Sequence, residues 1–175
     1  VGLDKYRFDI YKETDLNVFG EYINNIVYKY CFKEDKVIDR FSLLFYWYIN
    51  NIKLDDKSDN SVDKAFLQRK CNSLVYVKGF QLLLDFACVR TRIVYVRNNN
   101  ESYPILKVYL DGKKYYCDII FDKVNSEKGS KRYTFLIGNK KANERYKFYY
   151  VESIDEYYKS LPSLYEFIIF VSFEK

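Results

Sequence analysis

Histidine is absent from the 175 residues, and this absence excludes more chemistry than any other feature of the composition. Imidazole is the one side chain whose unperturbed pKa lies near neutrality. A His general base, a Ser-His or Cys-His nucleophile and a His-ligated metal are therefore all excluded, and we expect no metal and no cofactor. Methionine is also absent, which predicts an excised domain or a processed product.

Long apolar runs and paired cysteines are missing as well. No window approaches the roughly 18 consecutive apolar residues that a membrane span needs. The four cysteines have no CxxC spacing, so a zinc or thioredoxin-type site is not indicated. Buried, structural thiols are the default expectation, although two disulfides would be possible in a secreted protein, so the compartment and the pairing stay open. The cysteines are Cys31, Cys71, Cys88 and Cys117.

The net charge of +5 is too mild to imply a polyanion partner. Basic residues do gather at 128–133 and 140–147, but Glu127 and Glu144 dilute both groups. Solvated loops are the simpler interpretation, and we expect a protein partner rather than nucleic acid. The oligomeric state stays open.

Aromatic residues are abundant, with 20 tyrosines, 14 phenylalanines and one tryptophan. Surface tyrosines could bind carbohydrate or cell wall, and that hypothesis predicts several of them in one solvent-facing row. The simpler explanation is that Lys, Asn, Ile, Tyr and Phe rise together in proteins from AT-rich genomes. In that case the aromatics fill the core and its rim.

Apolar spacing predicts four helices in the first half of the chain. The first is capped by Thr14 or Asp15, the second covers 37–52, the third runs from a Ser61 cap to Arg69, and the fourth begins at a Ser73 cap.

From residue 92 the period changes to two, which predicts strands. The expected strands cover 93–96, 106–110, 113–121, 133–137 and 146–151, with Asp111-Gly112 as a hairpin turn and a basic loop at 138–141. A short helix at 155–160 and an apolar run at 167–173 would follow. The fold class is therefore α+β, with N-terminal helices packed on an antiparallel sheet. We expect a single domain over 1–175, with N-terminal helices in 1–60 and the core in 61–175.

Three segments resemble transglutaminase-like domains, which share the papain-like fold. Residues 45–55 (FYWYINNIKLD) resemble the family's WI-x-x-NI-x-YD helix end. Residues 69–84 resemble its nucleophile segment, C-x-G-Y-A followed by an apolar helix. Residues 110–122 (LDGKKYYCDIIFD) resemble LDG-x-WY-x-VD-x-TWD. The resemblance runs from about residue 6 to 162 and is most similar to the kyphoscoliosis-peptidase type and its relatives in cytokinesis.

This resemblance implies a Cys, His and Asp triad at positions that here carry Ser73, Tyr103 and Asp118. A serine hydroxyl needs a base to take its proton during attack. Tyrosine is a poor base, because with an unperturbed pKa of about 10 only about one in a thousand is ionised at neutral pH. The sequence therefore predicts a catalytically inactive domain, a pseudoenzyme that acts as a protein-binding or scaffold module.

Two other interpretations of these residues stay open, one purely structural and one enzymatic. Ser73 can be a helix cap and Asp118 a structural hydrogen-bond acceptor. A hydrolase, protease or transglutaminase using Ser73 or a shifted nucleophile at Cys71 is the enzymatic alternative, and it would need an unorthodox base such as Lys70, Lys78 or Tyr103. A nucleophile at Cys71 would break the helix register of the family segment.

Overall fold

The computed structural model describes residues 13–34, 36–58, 61–98, 101–129 and 135–148. The described part of the first half contains four helices, as the apolar spacing predicts, and a two-stranded parallel ladder joins the loops between them. The elements in order are α1 (Glu13–Cys31), α2 (Val37–Asn51), β1 (Lys53–Leu54), α3 (Val62–Gln68), β2 (Lys70–Cys71) and α4 (Ser73–Phe86).

Helix α4 lies at the centre of the helical layer. It packs against α1, α2 and α3, and against three elements of the second half, α5 (Ile119–Glu127), β3 (Thr91–Asn98) and β4 (Glu101–Leu110). Its expected inward residues Val77, Phe80 and Leu83 are all fully buried. Gly79 allows a close helix approach, because a Cβ at this position would collide with the hydroxyl of Tyr48 on α2. That hydroxyl donates to the carbonyl of Tyr76 at 2.8 Å, which fixes α2 against α4.

The described residues of the second half form a five-stranded antiparallel sheet. Its strand order is β6 (Ile137–Gly138), β5 (Lys113–Cys117), β4, β3 and β7 (Lys147–Phe148). Asp111 and Gly112 make the predicted hairpin turn, with φ values of 48° and 74° that suit a primed turn. The elements of this half are β3 (Thr91–Asn98), β4 (Glu101–Leu110), β5 (Lys113–Cys117), α5 (Ile119–Glu127), β6 (Ile137–Gly138), α6 (Asn139–Arg145) and β7 (Lys147–Phe148).

The two faces of the sheet are covered by different elements. Side chains such as Ile93, Leu106 and Cys117 join the main core with the helices. Residues at the alternate positions of the same strands point to the opposite face. Among them, Val96, Ile105 and Tyr116 form a second cluster with α6. Helix α6 crosses this second face, because it leaves the β6 edge of the sheet and leads to β7 at the other edge. The α+β class with helices packed on an antiparallel sheet is thus confirmed.

Two helices lie where the sequence predicted strand or loop. The expected strand at 113–121 ends at Cys117, because Asp118 caps α5 by accepting a hydrogen bond from the Phe121 amide. The expected basic loop at 138–141 is the start of α6. Local β-branched and aromatic residues favoured a longer strand, but capping and packing override that preference.

The predicted caps of α1 and α4 were wrong, whereas the predicted cap position of α3 was right. Thr14 and Asp15 lie inside α1. Ser61 occupies the cap position of α3 without a side-chain capping bond. At α4 the cap is Asn72, whose side chain accepts from the Val75 amide, and Ser73 is the first helical residue.

Other expectations lie outside the described residues or stay predictions. The strands expected at 133–137 and 146–151 are described only in part, and the segments at 155–160 and 167–173 not at all. The division into 1–60 and 61–175 stays a prediction. Within the described ranges, no helix has the length and apolar character to cross a membrane.

Candidate functional site

Asp118 is a fully buried carboxylate at the junction between β5 and α5. Its Oδ1 atom accepts a hydrogen bond from the Phe121 amide at 3.1 Å. A buried charge needs such partners, because burial without them carries a large desolvation cost.

Two tyrosine hydroxyls supply the remaining hydrogen bonds to Asp118. The Tyr103 hydroxyl on β4 donates to Oδ2 at 2.9 Å, and the Tyr146 hydroxyl donates to the same atom at 2.5 Å. The two rings lie edge to face, with centroids 6.3 Å apart and an interplanar angle of 84°. The structure therefore brings together two of the three positions that the resemblance singled out.

The electrostatics keep the protons on both tyrosines. Burial is the main cause that raises the pKa of Tyr103 and of Tyr146, and the negative charge of Asp118 raises both further. Burial also raises the pKa of Asp118, although its three hydrogen bonds oppose that shift. The Arg145 guanidinium lies 5.3 Å from the Tyr146 ring centroid and 4.2 Å from that of Phe121. Its charge lowers the pKa of both tyrosines and of Asp118, but not enough to cancel the burial effect.

Ser73 is engaged with a different carboxylate. It stands at the start of α4, and its hydroxyl donates to Oδ1 of Asp56 at 3.2 Å in an exposed position. Carboxylates are much weaker bases than imidazole. This pair therefore does not replace the Cys-His arrangement of the family, in which imidazole takes part in activating the nucleophile.

Cys71 lies on β2 with no exposed surface. Burial raises the pKa of its thiol to about 12, so the reactive thiolate is a negligible fraction at neutral pH. All four cysteines are free thiols, with Cys88 exposed and the other three buried. In the ranges that the structure covers, no three Asp, Glu or Cys side chains are arranged to hold a metal ion.

Tyr146 is the site residue that the sequence reasoning missed. It was counted within a basic segment, because the signal for its role is a contact with Asp118, 28 residues earlier. Tyr146 makes that contact from the position directly after α6, and no local pattern encodes it.

The tyrosines do not favour a carbohydrate-binding row. Among the described tyrosines, the exposed ones are spread over two helices and a strand, while Tyr48 and Tyr76 are fully buried. The exposed ones are Tyr28 and Tyr30 on α1, Tyr46 on α2 and Tyr95 on β3.

Comparison with known proteins gave matches only among solved structures. No protein-family model matches the chain, and no curated protein matches it. Similar structures include a candidate protease from Parabacteroides distasonis (TM-score 0.48, 12% identity, 55% of this chain and 23% of that chain). A TGase has a TM-score of 0.49 and 11% identity, over 65% of this chain and 34% of that chain. A candidate cysteine protease from Cytophaga hutchinsonii has a TM-score of 0.48 and 16% identity, over 63% and 43%. The chain thus spans less than half the length of each of these structures.

Proposed function

We propose that this chain is a transglutaminase-like domain of the kyphoscoliosis-peptidase type that has lost catalysis and acts by binding a protein partner. The three sequence segments described above support the family. Under this proposal Ser73, Tyr103 and Asp118 occupy the former triad positions.

The observation that carries the proposal is the double donation to Asp118. In a Cys-His-Asp site the acid orients an imidazole, which takes up and releases the proton. Here the corresponding carboxylate accepts hydrogen bonds from two phenolic hydroxyls, with oxygen–oxygen distances of 2.9 and 2.5 Å. Because the pKa of each phenol is raised, neither tyrosine releases its proton near neutral pH. The arrangement stabilises the fold and offers no base.

The enzymatic alternatives receive little support from the geometry. Cys71 is buried and protonated, and the Ser73 hydroxyl is bonded to Asp56. Among the bases considered, Lys70 forms an ion pair with the Asp55 carboxylate at 4.0 Å.

The test is a set of turnover and labelling assays on the purified chain. We expect no turnover of amine donors with glutamine-bearing peptides or of general protease substrates. A fluorophosphonate should label Ser73 no faster in the folded chain than in the unfolded chain, and iodoacetamide should label Cys71 more slowly in the folded chain. Turnover that Ser73→Ala or Cys71→Ala abolishes would overturn the proposal.

The binding half of the proposal needs its own experiment. The domain, used as bait in an extract of its native source, should retain a specific protein, and the purified pair should then bind directly in solution. Failure of every retained protein to bind the purified domain would count against a binding role.

A further inference from the structure

Three cations surround one aromatic ring on the sheet face that α6 crosses. The charged centres of Arg90, Lys107 and Arg92 lie 4.8, 5.7 and 5.9 Å from the centroid of the Tyr109 ring. In a cation–π contact of this kind, the negative face of the ring attracts the cation. Any two of these charges are therefore separated by less than twice 5.9 Å.

Strand register explains why these side chains converge. The Tyr109 amide donates to the Arg90 carbonyl at 3.0 Å, Arg92 pairs with Lys107 across β3 and β4, and Tyr109 pairs with Lys114 across β4 and β5. Residues directly opposite in neighbouring strands share a face, as do alternate residues in one strand. Lys114 therefore shares this face, directly opposite Tyr109, and adds a fourth cation beside the three that contact the ring. We call Arg90, Arg92, Lys107, Tyr109 and Lys114 the Tyr109 cluster.

The cluster gathers four positively charged side chains on one part of the sheet face. Arg90 and Lys114 are exposed, and Arg92 and Lys107 are partly exposed, so an anion from solution can reach them. Salt screens the attraction only in part at contact distance, because the Debye length is about 8 Å at physiological ionic strength. A dianion that approaches the cluster is therefore attracted by several charges at once.

We propose that the Tyr109 cluster binds a phosphate monoester carried by a partner protein, that is, a phosphorylated side chain. The inference rests on the proposed function, because it takes the partner to be a protein. Two neighbouring guanidinium groups suit bidentate contact with phosphate, and several cations in one compact group match a dianion better than a single carboxylate. A polynucleotide would instead need a basic track along several successive phosphates.

The test is a titration of the full chain with a fluorescent peptide that carries one phosphoserine among glycines and alanines. The same peptide unphosphorylated, and a version with glutamate in place of phosphoserine, should both bind at least about tenfold more weakly. Arg90→Gln with Arg92→Gln should weaken phosphopeptide binding by more than about tenfold. The matched control is Lys53→Gln with Lys57→Gln, which removes the same charge from exposed positions on β1 and the following turn and should leave binding unchanged.

Several results would overturn the inference. They are equal weakening by the control pair, equal binding of the three peptides, and tighter binding of oligothymidine or of phosphatidylserine-containing vesicles. If the double variant does not fold by circular dichroism, Lys114→Gln replaces it, and unchanged binding in that variant would contradict the proposal. The proposed function fails separately, because only turnover, or the absence of a protein partner that binds directly, speaks against it.

Discussion

At the scale of single residues, buried polar groups distinguish this domain from a simply apolar core. Asp118 has three donors, whereas the fully buried Tyr76 hydroxyl has no hydrogen-bond partner in the part of the chain that the structure covers. A satisfied buried group contributes modestly to stability, and an unsatisfied one costs free energy. Replacing a tyrosine by phenylalanine should therefore destabilise the protein where the hydroxyl donates a hydrogen bond. It should be neutral or stabilising where the buried hydroxyl has no partner.

Removing the Tyr146 hydroxyl should destabilise the fold. Tyr146→Phe leaves Asp118 with one donor fewer while the carboxylate stays buried, so we expect the free energy of unfolding to fall by about 1–3 kcal/mol. Urea unfolding followed by circular dichroism measures this change. The control is Tyr95→Phe on β3, where the side chain is 40% exposed and the change should stay within about 0.5 kcal/mol. Equal effects of both substitutions would mean that the Asp118 contact does not stabilise the protein.

Tyr48 and Tyr76 offer a matched pair inside the main core. Tyr48→Phe removes the donor to the Tyr76 carbonyl and should cost about 1 kcal/mol, whereas Tyr76→Phe removes an unsatisfied hydroxyl and should be neutral or stabilising. The measurement is again the free energy of unfolding in urea. If Tyr76→Phe costs more than Tyr48→Phe, the Tyr76 hydroxyl has a partner and this interpretation is wrong.

At the scale of elements, two neighbouring residues at the start of α4 differ in role: Asn72 caps the helix, whereas Ser73 is the position at which the sequence resemblance implies a nucleophile. Asn72→Ala should cost about 1 kcal/mol, because the Asn72 side chain accepts from the Val75 amide at 3.0 Å. Ser73→Ala removes only an exposed contact with Asp56 and should change stability by less than about 0.5 kcal/mol. The free energy of unfolding of both variants in urea tests this prediction. A larger loss for Ser73→Ala than for Asn72→Ala would mean that Ser73 is the residue that caps α4.

The elements also show what the sequence predicts and what it does not. Helices α2 and α4 could be predicted from their apolar spacing, and the hairpin between β4 and β5 from Asp111-Gly112. Each of these signals depends only on residues that are neighbours in sequence. Helix α6 was missed, because its Ala142 is buried only against a sheet that distant residues build. Within the site, Asp118 and Tyr103 came from a resemblance to known motifs, while Tyr146 depends on tertiary contact and could not be predicted locally.

At the scale of the whole molecule, buried tyrosines should make the protein sensitive to alkali. Burial raises the pKa of Tyr48 and Tyr76 as well as of Tyr103 and Tyr146. Below the ordinary tyrosine pKa of about 10, folded and unfolded chains both keep these protons. Above it the unfolded chain releases protons that the folded chain retains, so stability should fall as pH rises.

Phenolate absorbance, followed together with circular dichroism, checks this expectation. We expect two stages as the pH rises, and the second should coincide with loss of helical signal. Tyr103→Phe should shrink the second stage, because burial raises the pKa of Tyr103. A single stage with helical signal intact throughout would contradict the prediction.

The crossing of α6 also sets an order of events during synthesis. Asp118 leaves the ribosome well before Tyr146, so a nascent chain carries the carboxylate before the residue that closes over it has emerged. Only when the crossover has been translated can β7 align with β3 and the second phenol arrive. The last hydrogen bond to Asp118 therefore comes from late-emerging sequence, and a translation pause between the two residues would prolong the exposure of the carboxylate to water.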